Sequence, residues 1–155
     1  MSIAAFCGSF DPITKGHLDI IERASKMFEE VYVFILSNSN KNSYFSFEQR
    51  MHWLEQACAH LENVHCQVQE GLSVEACKSV NATVLVRGIR NTVDFEYEKN
   101  IASMNLLLDE SIETICLFTR DEYAHCSSSN VKELLKYGKD ISRLVPECVA
   151  KEISK

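Results

Sequence analysis

Residues 8–17, with the sequence GSFDPITKGH, have the composition of a phosphate-binding turn. Glycines let backbone amides approach an anion closely. A helix that starts at Gly16 and His17 adds unpaired N–H groups and a partial positive charge. We therefore predict that this stretch binds phosphate, with the His17 side chain pointing into the same space.

Three basic residues further along the chain suit the same anionic ligand. Arg87 and Arg90 stand three positions apart, after an apolar run, and guanidinium groups bind phosphate oxygens as a planar fork. Lys41 is the only charge in the polar residues 37–43. Together they would create a locally positive field. The alternatives are surface salt bridges for the arginines and a solvated loop position for Lys41.

Apolar runs separated by helical periodicities must position these residues. Short runs rich in β-branched and aromatic residues predict strands at residues 3–7, 31–36, 64–68, 82–86 and 114–118. This alternation predicts a single-domain α/β fold over residues 1–155, a doubly wound, Rossmann-like five-stranded parallel sheet with helices on both faces. The candidate residues then follow strand ends, at the edge where such sheets bind ligands.

The overall composition excludes several classes of protein. The 155 residues include 16 basic and 22 acidic side chains, so the net charge of −6 argues against nucleic-acid binding. No apolar run is long enough for a membrane span. The seven cysteines have no CxxC spacing. The first residues do not resemble a signal peptide. We expect a cytoplasmic protein with reduced thiols and no zinc site.

Four motifs resemble the HIGH-type nucleotidyltransferases. The residues TKGH at 14–17 match the T/H-x-G-H signature, and RGIR at 87–90, DFEYE at 94–98 and SSSNVK at 127–132 follow in the expected order. Together they are similar to the bacterial phosphopantetheine adenylyltransferase family, over nearly the whole chain. The resemblance implies an enzyme of coenzyme A biosynthesis that transfers the adenylyl group of ATP to 4′-phosphopantetheine, giving dephospho-coenzyme A and pyrophosphate.

The resemblance also implies roles for individual residues. Three would be catalytic and stabilise charge on the α-phosphate: His17, Lys41 and Arg90. Four would bind the acceptor substrate, Arg87 through its phosphate: Ser9, Lys41, Ser73 and Arg87. The ATP-binding residues would be Ser9, Phe10, His17, Gly88, Ile89, Arg90, Glu98, Tyr123, Ala124, His125, Cys126, Ser127, Ser128 and Ser129.

Cofactors and partners follow from the same resemblance. Mg²⁺ would arrive bound to ATP phosphates, because the carboxylates are not clustered at ligand spacing. Asp11 would either approach that metal or fix the turn, and we expect the second. Besides ATP and 4′-phosphopantetheine, coenzyme A is a candidate feedback ligand. The family also implies a homohexamer, in which apolar residues of the helix that carries Asp94 would face another subunit.

Structural roles compete with several of these assignments. The three serines at 127–129 suit a helix cap, and Asp94, Glu96 and Glu98 suit the first turns of a helix capped by Thr92. Arg50 and Trp53 are predicted to be a surface and a packing residue.

Two other functions would use a similar loop. One is a related transferase that acts on nicotinamide mononucleotide or a phosphorylated alcohol, and the other is a nucleotide sensor without catalysis. The RGIR, DFEYE and triple-serine segments favour the phosphopantetheine branch. The presence of His17, Lys41 and Arg90 together argues against a sensor.

Overall fold

Five strands form one parallel sheet with helices on both faces, as predicted. The computed structural model describes residues 2–37 and 42–153. In this part of the chain the strands are β1 Ile3–Gly8, β2 Glu30–Ser37, β3 Val64–Glu70, β4 Val84–Ile89 and β5 Glu113–Phe118. The helices are α1 Lys15–Met27, α2 Phe47–Cys58, α3 Ser73–Ser79, α4 Thr92–Leu108, α5 Ser128–Lys136 and α6 Glu147–Ile153, with a 3₁₀ turn at Asp121–Tyr123.

The sheet is organised around β1. The strand order is β3-β2-β1-β4-β5, so β1 pairs with β2 on one side and with β4 on the other. Successive residues of β1 point to opposite faces. Ala4 and Phe6 pack in the core that α1 covers, whereas Ala5 and Cys7 pack in the core that α3 covers. Burial on both faces explains why β1 and β2 are continuous apolar runs in the sequence.

The two helices that carry site residues differ in burial. In α1, residues such as Ile20, Ile21 and Ala24 are buried at helical spacing. In α4, the buried residues are Glu98 and Asn105. Large apolar side chains of α4 are exposed instead, namely Val93, Phe95, Tyr97, Met104, Leu106, Leu107 and Leu108. In the described ranges, neither α4 nor another helix is long and apolar enough to cross a membrane.

The start of α4 differs from the prediction by one residue. Thr92 was predicted to cap this helix, but the N-cap is Asn91, whose Oδ1 accepts a hydrogen bond of 2.9 Å from the Asp94 N–H. Asparagine and threonine are both good N-caps, so residue type alone does not separate adjacent positions. The correction places Asp94 at the third position of the helix.

Candidate active site

A cavity of about 310 Å³ opens at the carboxyl ends of β1 and β4. The strand order of the sheet reverses at this point, which is where doubly wound sheets bind ligands. The cavity brings together most of the predicted site residues: Ser9, Phe10, His17, Arg87, Gly88, Arg90, Glu98, Cys126, Ser127, Ser128 and Ser129. All four motifs therefore contribute to one space.

The remaining predicted residues lie elsewhere. Lys41 falls outside the described residues. Ser73 begins α3 beside the Cys7 thiol. The other four do not line this cavity: Ile89, Tyr123, Ala124 and His125. Conversely, residues that carried no predicted site role also line it, among them Cys7, Asp94, Tyr97 and Thr119.

The orientation of His17 is set by the first turn of α1. Thr14 is the N-cap, and its Oγ1 accepts from the His17 N–H at 3.2 Å. In return His17 Nδ1 accepts from the Thr14 N–H at 3.0 Å, which closes a capping box. Because Nδ1 is an acceptor here, the proton of a neutral ring lies on Nε2. His17 is therefore a fixed hydrogen-bond donor at the cavity.

The environment of His17 keeps the imidazole uncharged. Burial, followed by the positive charges of Arg87 and Arg90, lowers the pKa of His17 from 6.5 to about 4. The Phe10 ring lies 5.1 Å from the His17 ring in an edge contact and packs in turn against Phe6 at 5.4 Å. Near neutral pH, His17 thus offers a neutral N–H rather than a charge.

Arg87 is held by three hydrogen bonds that its guanidinium group donates. Its Nε and Nη2 each donate to the Glu98 carboxylate at 2.8 Å, and its Nη1 donates to the Cys7 carbonyl oxygen. The Glu98 side chain is only 8% exposed. Both oxygens of Glu98, a predicted ATP ligand, are thus engaged by Arg87.

Arg90 is paired in a similar way with Asp94. Its Nε and Nη2 donate to the two Asp94 oxygens at 2.9 and 3.1 Å. Among the described residues that line the cavity, two arginines are therefore matched by two carboxylates. The predicted positive field from Arg87 and Arg90 is largely offset, because α4 supplies a carboxylate to each.

The turn before α1 is fastened by a buried carboxylate. Asp11 Oδ2 accepts from the Tyr44 N–H at 2.8 Å, and Oδ1 accepts from the Phe45 N–H at 2.9 Å. Lys132 of α5 lies 3.5 Å away. Asp11 thus fixes the turn against the loop before α2. In residues 2–37 and 42–153, no cluster of three or more His, Cys, Asp or Glu side chains is arranged to hold a metal ion.

Arg50 corrects another prediction. It was predicted to lie on the surface, but it is only 7% exposed, and its Nη1 donates to the Ser9 carbonyl oxygen at 2.9 Å. The guanidinium also lies over the Phe47 ring at 5.5 Å. The loop carbonyl that Arg50 satisfies is distant in sequence, so the local pattern of α2 held no signal for it. Trp53, predicted to pack, is fully buried.

The serine segment joins the turn to α5. The Ser127 hydroxyl caps α5 by accepting from the Asn130 N–H at 3.0 Å, and the Ser128 hydroxyl donates to the Pro12 carbonyl oxygen at 2.8 Å. Both hydroxyls therefore have structural partners, while the first N–H groups of α5 have no acceptor within the helix. A Cβ at Gly16 would lie 3.0 Å from the Cys126 carbonyl oxygen, so glycine allows this close approach.

Two solved structures share this fold. A provisionally named nicotinate-nucleotide adenylyltransferase from Vibrio parahaemolyticus superposes with a TM-score of 0.69 at 20% identity, over 99% of this chain and 91% of that one. A lipopolysaccharide core biosynthesis protein from Thermoplasma volcanium gives a TM-score of 0.58 at 18% identity, over 78% of this chain and 99% of that one. At these identities the likeness supports the fold alone.

Sequence comparison is more specific. The family model described as cytidylyltransferase-like matches residues 5–134. The phosphopantetheine adenylyltransferase of Levilactobacillus brevis is 49% identical, over 97% of this chain and 94% of that protein. Its counterpart from Lactiplantibacillus plantarum is 48% identical, over 99% and 94%. The chain therefore belongs to the phosphopantetheine adenylyltransferase family, within the cytidylyltransferase-like nucleotidyltransferases.

Proposed function

We propose that the cavity at the end of β1 and β4 transfers the adenylyl group of ATP to 4′-phosphopantetheine, giving dephospho-coenzyme A and pyrophosphate. The observation that carries this proposal is the meeting of a neutral N–H donor, His17, with two arginines at one cavity. Family membership supports the choice of acceptor.

The reaction needs positioning rather than a general base. A phosphate oxygen of the acceptor attacks the α-phosphorus of ATP, a new P–O bond forms, and the bond to pyrophosphate breaks. The incoming phosphate is already ionised near neutral pH, so no proton has to be removed from it. The work of the protein is to hold two polyanions together and to stabilise charge at the α-phosphate.

Each side of the cavity contributes a different group to that work. His17 donates from Nε2 to a non-bridging oxygen of the α-phosphate, and Arg90 binds the ATP phosphates. The N–H groups at the start of α5 bind the same nucleotide. Lys41, which lies outside the described residues, is proposed as a further phosphate contact on the strength of the family resemblance.

On the acceptor side, Arg87 binds the phosphate of 4′-phosphopantetheine, with Ser9 nearby on the turn. Glu98 acts through Arg87, because both of its oxygens are engaged there. Arg87 retains hydrogens on Nη1 and Nη2 beyond those used by Glu98 and the Cys7 carbonyl, and these can bind phosphate.

Mg²⁺ is proposed to enter with ATP. The nearby carboxylates of Asp11, Asp94 and Glu98 accept hydrogen bonds from protein groups, which leaves the phosphate oxygens as the better ligands. The ion would neutralise charge on the β- and γ-phosphates. Coenzyme A, which contains the same phosphopantetheine arm, is proposed to compete for the cavity as a feedback ligand.

The exposed apolar side chains of α4 support assembly of several copies of the chain. Val93 and Leu107 are 73% and 78% exposed, and Phe118 at the end of β5 is 79% exposed. Large exposed apolar side chains are a common feature of surfaces that contact another subunit. We propose the homohexamer of the family, which sedimentation of the purified protein would test.

Pyrophosphate release tests the proposed reaction. Purified protein and Mg-ATP are mixed with one acceptor at a time: 4′-phosphopantetheine, nicotinamide mononucleotide or glycerol 3-phosphate. Release with phosphopantetheine alone is expected. Release with another acceptor instead would reject the substrate, and ATP binding without release would favour a sensor.

A further inference from the structure

The carboxylate of Asp94 gathers three donors from one residue, Arg90. Oδ2 accepts from the Arg90 backbone N–H at 3.0 Å and from Nε at 2.9 Å, and Oδ1 accepts from Nη2 at 3.1 Å. An ordinary surface pair joins only side chains. Here both the backbone N–H and the guanidinium of Arg90 donate to one carboxylate. These hydrogen bonds link α4 to the loop after β4.

Asp94 is itself fixed by the start of α4. Its N–H donates to the Asn91 N-cap at 2.9 Å. The side chains of Asp94 and Arg90 are 21% and 30% exposed, and both line the cavity. The helix end therefore fixes the carboxylate, and the carboxylate fixes the guanidinium.

The pairing occupies one edge of the Arg90 fork. Nε and Nη2 face Asp94, while Nη1 has no acceptor within the described ranges. Anchoring one edge removes most of the rotamer freedom of an arginine and presents its remaining donors in one direction. We propose that Asp94 is a positioning residue that aims Arg90 at the phosphates of ATP, an inference that rests on the adenylyl transfer proposed above.

Charge and orientation predict opposite effects of removing this carboxylate. Asp94 is a negative group beside the site for a polyanion, so Asp94→Asn makes the cavity more positive and strengthens its attraction for ATP. A loss of turnover in this variant could not result from weaker attraction. A positioning role therefore lowers kcat while KM for ATP stays unchanged or falls.

The test measures kcat and KM for ATP at saturating 4′-phosphopantetheine. Glu96→Gln is the matched control, because Glu96 lies two residues further along α4, is exposed, and makes no side-chain hydrogen bond among the described residues. We expect kcat to fall by about tenfold or more in Asp94→Asn, as misplacement of a charged group predicts. Glu96→Gln should match the wild type.

A double-mutant cycle with Arg90→Ala separates positioning from general disruption. If Asp94 acts through Arg90, Asp94→Asn should change kcat less than about twofold once Arg90 is absent. Equal losses in both backgrounds, or a raised KM with unchanged kcat, would overturn the proposal. Should Asp94→Asn fail to fold, Asp94→Glu keeps the charge but displaces the guanidinium, and an unchanged kcat there would overturn it as well.

The two proposals fail in different ways. Absence of turnover in the wild type overturns the adenylyl transfer and this inference with it. Turnover in the wild type together with an Asp94→Asn variant that equals Glu96→Gln overturns the inference alone.

Discussion

His17 and Arg90 line the same cavity, but the protein holds His17 with uncharged hydrogen bonds and Arg90 with an ion pair. The His17 partner, Thr14, is three residues away and fully buried. The Arg90 partner lies on α4, a helix that buries few of its side chains. A neutral donor can be buried cheaply within one turn, whereas a permanent charge needs a counter-charge wherever it is partly desolvated.

The largest expected effect is the loss of turnover when the neutral donor, His17, is removed. His17→Ala removes the Nε2 donor, and loss of one such donor costs about a hundredfold to a thousandfold in turnover. ATP binding and the fold should largely remain, because the Thr14 hydroxyl still caps α1. Pyrophosphate release and ATP titration measure the two quantities. Near-normal turnover would show that His17 takes no part in the mechanism and that the buried neutral donor is not needed for catalysis.

The next largest effect concerns Arg87, which, like Arg90, is paired with a carboxylate of α4. Glu98→Gln leaves Arg87 without its buried counter-charge, and breaking a buried pair costs about 3 kcal/mol of the free energy of unfolding. Urea denaturation measures this loss. Glu96→Gln makes the same change at an exposed position and should stay within about 0.5 kcal/mol of the wild type. Equal stabilities of the two variants would show that the Arg87 pair contributes little.

A smaller effect is expected from the cap of α1. Thr14→Ala should cost about 1 kcal/mol of stability, as loss of an N-cap typically does. It should also lower turnover, because His17 loses the partner for its backbone N–H. Ser46→Ala is the control, since Ser46 caps α2 with a hydrogen bond of 3.2 Å to the Gln49 N–H. If both variants lose stability and turnover alike, the Thr14 cap has no special role in orienting His17.

The smallest effect is a loss of folding stability that appears only below neutral pH. Because the pKa of His17 is about 4 in the folded chain and 6.5 as a free side chain, the unfolded state binds more protons between these values. Stability from the neutral imidazole is therefore complete above pH 6.5 and is lost as the pH falls toward 4. NMR titration of the His17 ring should give a midpoint near 4. A midpoint near 6.5 would contradict the burial of a neutral ring.

The sequence was sufficient for the sheet and for the place of His17. Apolar and β-branched runs identified all five strands, although β3 and β5 are only partly buried. The T-x-G-H residues supply both partners of the capping box. Local patterns could not find the partners of Arg87 and Arg90, since acidic residues early in a helix also suit the helix dipole. Those pairings depend on how β4 and α4 meet in three dimensions.

The proton on His17 Nε2 also affects how the enzyme completes a cycle. A histidine that acted as a general acid or base would have to regain or release a proton before the next turnover. His17 is held neutral by its surroundings, with Nδ1 accepting from the Thr14 N–H and the ring proton on Nε2. In the proposed reaction this donor keeps its proton throughout, so His17 would need no reset after product release and would serve synthesis and its reversal alike.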